Sequence, residues 1–460
     1  MRVRKTMFLP VAMACTLFLL QGRQSIASPP GPSPLNVPIE YYKLGNGLKV
    51  VLSQDKTTPT ISVGVFYNIG FRIEPKNRTG FAHLFEHMMF QGSKNLGKME
   101  FVKLVQQNGG TLNGSTRFDF TNYYEVMPAH KLETALWAEA DRMKGLAINQ
   151  SNLTNQQGVV KNEVKVNVLN QPYGGFPWLD MPQYANQNWY NAHNFYGDLA
   201  DLDSAKLEDV ESFFKTYYAP NNAVLVVMGD FEIADGKKWV TQYFNNIPSA
   251  TIPAQPDITE PRQEKEKRSV KEDKLANKPA IAIGYKMPAK NSPEYFAMGL
   301  IDQLLIEGND SKLYQTLVQE KGYTSAVNGG INYLGNMFDY NGPMLFMSDM
   351  IYDSTVSPES IIAENDKAVA QLEKITQADL NLALVKMRSS LYDQIGGGLG
   401  LGKLNMLASF ALFYDKPSMI NSLEDNFKKV TPELIRKTAK EYLRSTNRTI
   451  LIIDPKAPKS

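Results

Sequence analysis

Thr79-Gly80-Phe81-Ala82-His83-Leu84-Phe85-Glu86-His87-Met88-Met89-Phe90-Gln91-Gly92 is the stretch on which the reading of this chain turns. Thr79 stands at a helix-capping position and the apolar residues after it recur with a helical period, so the pattern predicts a helix. On a helix His83 and His87 lie one turn apart on one face, with Glu86 beside them. Two imidazoles at that spacing can occupy two corners of a tetrahedral zinc site, and the adjacent carboxylate can reach a reacting water. The bland alternative is a pair of satisfied polar residues on a core helix.

Working outward, the elements on either side read as an α/β unit. Residues 41–53 hold Gly45-Asn46-Gly47 between apolar runs, a hairpin signal, and residues 61–69 form a second strand rich in valine and aromatics. After the histidine stretch come a helix over 98–107, closed by Asn108-Gly109-Gly110, and two strands over 111–127 with breaks at Asn113-Gly114-Ser115 and Arg117-Phe118-Asp119. Helices are expected over 129–145 and 151–170, then an irregular functional loop over 171–197, dense in Pro, Gly, Asn and aromatics. A helix over 202–217, a buried strand over 222–229 and a helix over 236–244 complete this half.

The order then repeats. Residues 248–271 are Pro-rich and then densely charged, as an exposed linker is. Beyond them a strand over 280–285 resembles 61–67, and Ser292-Pro293 caps a helix over 294–306 in the place of the histidine helix. A helix over 432–442 and a strand over 449–453 repeat the end of the first half. The fold class is α+β, two α/β sandwich domains of about 200 residues in divergent copies. Expected boundaries are a leader at 1–27, domains at 28–248 and 272–460, and a linker at 249–271. Aligning Phe296-Ala297 with Phe81-Ala82 sets Met298, Ile301 and Asp302 opposite His83, Glu86 and His87. All four histidines (His83, His87, His130, His193) fall in the first half, so only one domain can hold metal this way.

Composition bounds these expectations. With 460 residues, 43% of them apolar, the chain can bury an ample core. Residues 1–27 carry Arg2, Arg4 and Lys5, an apolar run from Met7 to Leu20, and Ser25-Ile26-Ala27, the layout of a secretory signal peptide. That run is short for a membrane span, which needs about 20 residues, so the mature chain is expected to be exported and unanchored. Losing the leader removes four positive charges (Arg2, Arg4, Lys5, Arg23) and turns the net charge from +2 to −2. No nucleic-acid surface follows from that balance. The single cysteine, Cys15, lies in the leader, which leaves no thiolate ligand or disulfide.

The residues from Thr79 to Gly92, with the inverted order His-x-x-Glu-His, resemble the pitrilysin/insulinase family of inverted zinc metallopeptidases, in its bacterial processing-peptidase-like branch. The resemblance covers nearly the whole mature chain. In that family a glutamate about 76 residues after the second histidine completes the zinc site. Here Glu163 stands at that distance from His87 (163 − 87), in Val159-Val160-Lys161-Asn162-Glu163. The resemblance implies one Zn²⁺ per chain on His83, His87 and Glu163, with Glu86 moving the proton from water to the leaving amine. It implies that Asn113, Gly114, Ser115 and Thr116 lie on an edge strand that pairs with an extended peptide. It further implies that the two domains form half of a clamshell chamber.

Two departures from the family pattern matter. Many members have a second acidic residue seven positions before the ligand glutamate, where this chain has Gln156, a residue that can support the ligand only by hydrogen bonding. The second domain of many members also supplies an Arg and a Tyr to the substrate, and the matching positions here are Gln319 and Ser325. The resemblance therefore implies a heterodimer whose other subunit lacks the His motif and supplies those groups. The function expected is that of a periplasmic zinc endopeptidase, and the alternative is a non-catalytic assembly or peptide-binding subunit. Gly397 to Lys403 spaces its glycines and lysine like a phosphate loop, but Leu404 replaces the metal-binding hydroxyl and no strand precedes it. His130 and His193 read as surface or packing residues.

Overall fold

The computed structural model describes residues 35–397 and 400–455, so the leader expected at 1–27 and part of the glycine run lie outside the described residues. The first sheet joins β1 (Glu40–Lys43), β2 (Lys49–Gln54), β3 (Thr60–Tyr67), β4 (Thr111–Thr116), β5 (Thr121–Pro128) and β6 (Ala223–Gly229) in the order β1-β2-β6-β3-β5-β4. The second joins β7 (Lys267–Asp273), β8 (Ala280–Lys286), β9 (Asn328–Gly330), β10 (Leu345–Ile351) and β11 (Arg448–Pro455) in the order β7-β11-β8-β10-β9. Without β1 the two orders are the same. Each sheet is antiparallel except for one parallel pair, β2 with β6 and β7 with β11. The expected α+β fold with two related sheets is what the chain adopts.

Central strands β3 and β8 are buried on both faces, which an isolated α/β sandwich with one helical layer does not require. The second face of each is covered by a helix from the other half. Leu401–Tyr414, from the second half, packs on β2, β3 and β6, and Asp180–Ala185, from the first half, packs on β7, β8 and β11. A glycine admits each one. A Cβ at Gly64 would lie 3.0 Å from the Leu404 side chain, and one at Gly284 would lie 3.4 Å from that of Met181. Met181 and Ala185 share a core with Ala282, Leu345, Met347 and Leu451.

That exchange corrects the expected loop over 171–197. It holds two short helices, Asp180–Ala185 and Trp189–Ala192, because its apolar residues have a sheet to cover. The charged stretch is also more ordered than a linker. Lys267–Asp273 is edge strand β7, half-buried at Lys267, Ser269, Lys271 and Asp273, and the charges on an edge strand discourage pairing with other chains. Lys271 reaches Asp180 at 2.7 Å, pinning the exchanged helix. The Asn113-Gly114-Ser115 break is absent, since β4 runs through it and turns only after Thr116.

A buried ion pair closes the seam between the halves. Arg72 donates to Asp119 at 2.7 Å, and the other Asp119 oxygen accepts from the backbone N–H groups of Asn341 (2.8 Å) and Gly342 (3.2 Å). Both side chains are nearly without solvent contact, and Arg72 also donates to Asn191 at 2.6 Å, so the pair is satisfied by protein groups alone. Among the described residues no single helix is long and apolar enough to cross a membrane.

Candidate metal centre

The histidine helix runs from Phe81 to Met88. Its expected cap, Thr79, is used elsewhere, donating its hydroxyl to Asp201 at 2.6 Å. The cap is instead Glu74, whose two carboxylate oxygens accept from the N–H groups of Gly80 (2.8 Å) and Ala82 (2.6 Å). Glu74 is fully buried, and burial pushes its carboxyl up to about 8 against the pull of those two N–H groups. Phe81, Leu84, Phe85 and Met88 enter the core of the first half, which leaves His83, Glu86 and His87 along the remaining face.

Glu163 comes from the helix Gln150–Val164, whose Leu153, Gln156, Val160 and Val164 are buried. The helix continues beyond Val164 as a π-helical segment, Lys165–Leu169. The two helices pack together. Nε2 of His83 lies 3.4 Å from one oxygen of Glu163, and Nε2 of His87 lies 3.2 Å from the other. Ligand atoms in a tetrahedral zinc site with bonds of roughly 2.0–2.1 Å stand about 3.3 Å apart, so the three side chains fit such an ion. Hydrogen bonds from His83 and then His87 hold the Glu163 carboxyl well below the usual carboxylate range.

Glu86 is placed by β4. The Thr116 hydroxyl donates to its Oε2 at 2.7 Å, and a Cβ at Gly114 would meet its Cγ at 3.3 Å. Thr116 thus holds the carboxylate, and Gly114 gives it room. Ser115 donates to Asn122 at 2.5 Å, and Asn113 accepts locally from Gly114 N at 2.9 Å. Among the described residues β4 pairs only with β5, which makes it the edge strand of the sheet. Gln156 is buried and donates to Asn155 at 2.7 Å, about two turns from Glu163 along the helix. Gln319 and Ser325 are exposed in the second half.

One neighbour of the centre is absent from the sequence reading. The Tyr196 ring lies 5.2 Å from the His83 ring, edge to face. Burial raises its hydroxyl, and the charges of Glu163 and Glu86 add to that. It sits in the stretch read as a loop, and no local periodicity marks it. His193, three residues earlier, is a packing residue, stacked on Trp189 at 4.2 Å with its ring nitrogens on the Phe71 and Trp189 carbonyls. His130 is exposed.

Two family models match the chain, the insulinase (peptidase family M16) model over residues 49–188 and the peptidase M16 inactive domain over residues 204–384. A Helicobacter pylori protein described as zinc protease PqqE is 27% identical over 429 residues, 90% of this chain and 93% of that protein. An insulin-degrading enzyme homolog of Dictyostelium discoideum is 31% identical over 213 residues, 44% of this chain, which spans only 21% of that longer protein. The crystal structure of a protease from Helicobacter pylori matches with a TM-score of 0.83 at 25% identity, covering 91% of this chain and all of the other. With one model on each half and a structural match over nearly the whole length, the chain belongs to the pitrilysin/insulinase (M16) peptidase family.

Proposed function

We propose that this chain is a zinc-dependent endopeptidase that cleaves extended or unfolded peptide segments. The observation that carries the reading is the convergence of His83, His87 and Glu163 on one point, with Glu86 beside them and the edge strand β4 alongside. A zinc ion on those three residues supplies the Lewis acidity that polarises a scissile carbonyl. Glu86, oriented by Thr116, accepts a proton from the attacking water and passes it to the leaving amine, a contribution of about 10²–10⁴-fold. The edge strand β4 offers main-chain N–H and C=O groups to a peptide, an affinity independent of sequence. Val159 and Val166, exposed one turn to either side of Glu163, add apolar contacts for its side chains.

The reading extends to a heterodimer acting as a closed chamber in the periplasm, in which a related subunit without the histidines supplies the Arg and Tyr missing at Gln319 and Ser325. That absence also favours a second reading, a non-catalytic peptide-binding subunit. One experiment separates them. Metal content and peptide cleavage are measured for the wild type and Glu86→Gln, alone and mixed with such a partner. The proposal expects zinc in both proteins, weak cleavage by the wild type alone, strong cleavage with the partner, and none by the variant. Equal cleavage by Glu86→Gln overturns the role of Glu86, and full activity of the isolated chain overturns the heterodimer.

A further inference from the structure

Nδ1 of His83 is buried and has no hydrogen-bond partner among the described residues. A metal-binding imidazole ordinarily gives that proton to a carboxylate, carbonyl or water, and the bond fixes both ring rotation and tautomer. His83 is held by rings instead. Tyr196 meets it edge to face, with the planes 69° apart, and Tyr196 is in turn packed against Trp178 at 5.5 Å and Phe71 at 6.3 Å.

The segment that delivers Tyr196 is seated on the first turn of the histidine helix. Gly197 adopts φ +87°, and a Cβ there would lie 2.4 Å from the Gly80 Cα, so only glycine allows this approach. Asp198 N donates to the Thr79 hydroxyl at 2.9 Å, and Asn194 brackets the turn by accepting from Tyr196 N (3.1 Å) and donating to Gly197 O (3.1 Å). Close backbone contact leaves the phenol little freedom to swing away from His83.

We propose that Tyr196 is a positioning residue for the metal centre: its ring replaces the missing hydrogen bond in fixing the His83 imidazole. The inference rests on the reading of His83, His87 and Glu163 as metal ligands. It is tested on the full chain, stripped of metal and titrated with zinc against a competing chelator, for the wild type, Tyr196→Phe, Tyr196→Leu and Trp178→Leu.

Tyr196→Leu is expected to weaken zinc affinity about 10–100-fold, as loss of a group behind a ligand does. Tyr196→Phe keeps the ring and stays near the wild type, and Trp178→Leu, which removes the ring packed behind Tyr196, weakens binding less than Tyr196→Leu. Melting temperatures are read with and without zinc. A positioning role shrinks the zinc-induced rise, whereas a purely structural role lowers the metal-free melting temperature and leaves the rise intact. Wild-type zinc affinity in Tyr196→Leu overturns the inference, as does Tyr196→Phe losing as much as Tyr196→Leu. If Tyr196→Leu does not fold, Trp178→Leu, which leaves Tyr196 in place without the ring behind it, decides by the same affinity measurement, and unchanged binding overturns the inference. A wild type that binds no zinc overturns the metal-centre reading itself, and this inference with it.

Discussion

The two halves place a helix after the same strand and use it differently. In the first half the helix after β3 is capped by a buried carboxylate from outside the helix, Glu74, and shows His83, Glu86 and His87 on its free face. In the second half the helix after β8, Pro293–Leu305, is capped by its own Ser292, whose hydroxyl accepts from Tyr295 N at 3.1 Å, and its residues from Tyr295 to Ile301 are all buried. One copy keeps a polar face with a buried carboxyl behind it; the other fills its face with core. The site therefore depends on what surrounds the helix as much as on the helix.

The largest expected effect breaks the pairing at the metal. His87→Ala is expected to abolish zinc retention, while Asp302→Ala, its counterpart in the second half, leaves the single zinc in place, as measured by metal analysis after dialysis. Zinc lost from the Asp302 variant would mean that the halves share the centre.

A smaller effect concerns the exchanged helices. Gly64→Ala sets a methyl group 3.0 Å from Leu404 and from Phe66, and overpacking of this kind costs about 1–3 kcal/mol in urea unfolding. Gly284→Ala, with 3.3 Å to Met347 and 3.4 Å to Met181, meets flexible methionines and is expected to cost less. The reverse order would show that the second sheet is the more tightly covered.

The smallest effect separates the caps by pH. Glu74 holds its proton up to about 8 in the folded chain against an ordinary 4.5, so the folded state binds the extra proton between those values. Its contribution is present below about 4.5 and is lost as pH rises toward 8, because the unfolded chain there binds fewer protons. Glu74→Gln is expected to flatten that fall in stability, followed by urea unfolding across the window. Ser292→Ala should cost about 1 kcal/mol at every pH, since a hydroxyl cap does not titrate.

Legibility in the sequence followed the range of the interactions. His83, Glu86 and His87 lie within one turn, and Glu163 is marked by the family's spacing, so the candidate ligands were readable. The repeat of strand and helix order was readable because hydrophobic periodicity is local. Glu74 was not, because its carboxyl reaches forward across a loop to N–H groups that Thr79 stands nearer to in the sequence. The exchange of helices was not, because an apolar face shows that a helix is covered and not by which sheet. β7 was hidden under the run Glu264-Lys265-Glu266-Lys267-Arg268, since charge on an edge strand looks like charge on a linker. Tyr196 comes to His83 through backbone contact at Gly80 and Gly197, which no spacing rule records.

The crossed helices also make this chain a covalent counterpart of a domain-swapped pair. Cutting it near residue 255 would not release two small proteins. Each fragment would present the bare side of a central strand, β3 or β8, while carrying the helix meant for its neighbour. The connection between the halves therefore sets stoichiometry: it guarantees that every sheet is synthesised together with the one helix that closes it.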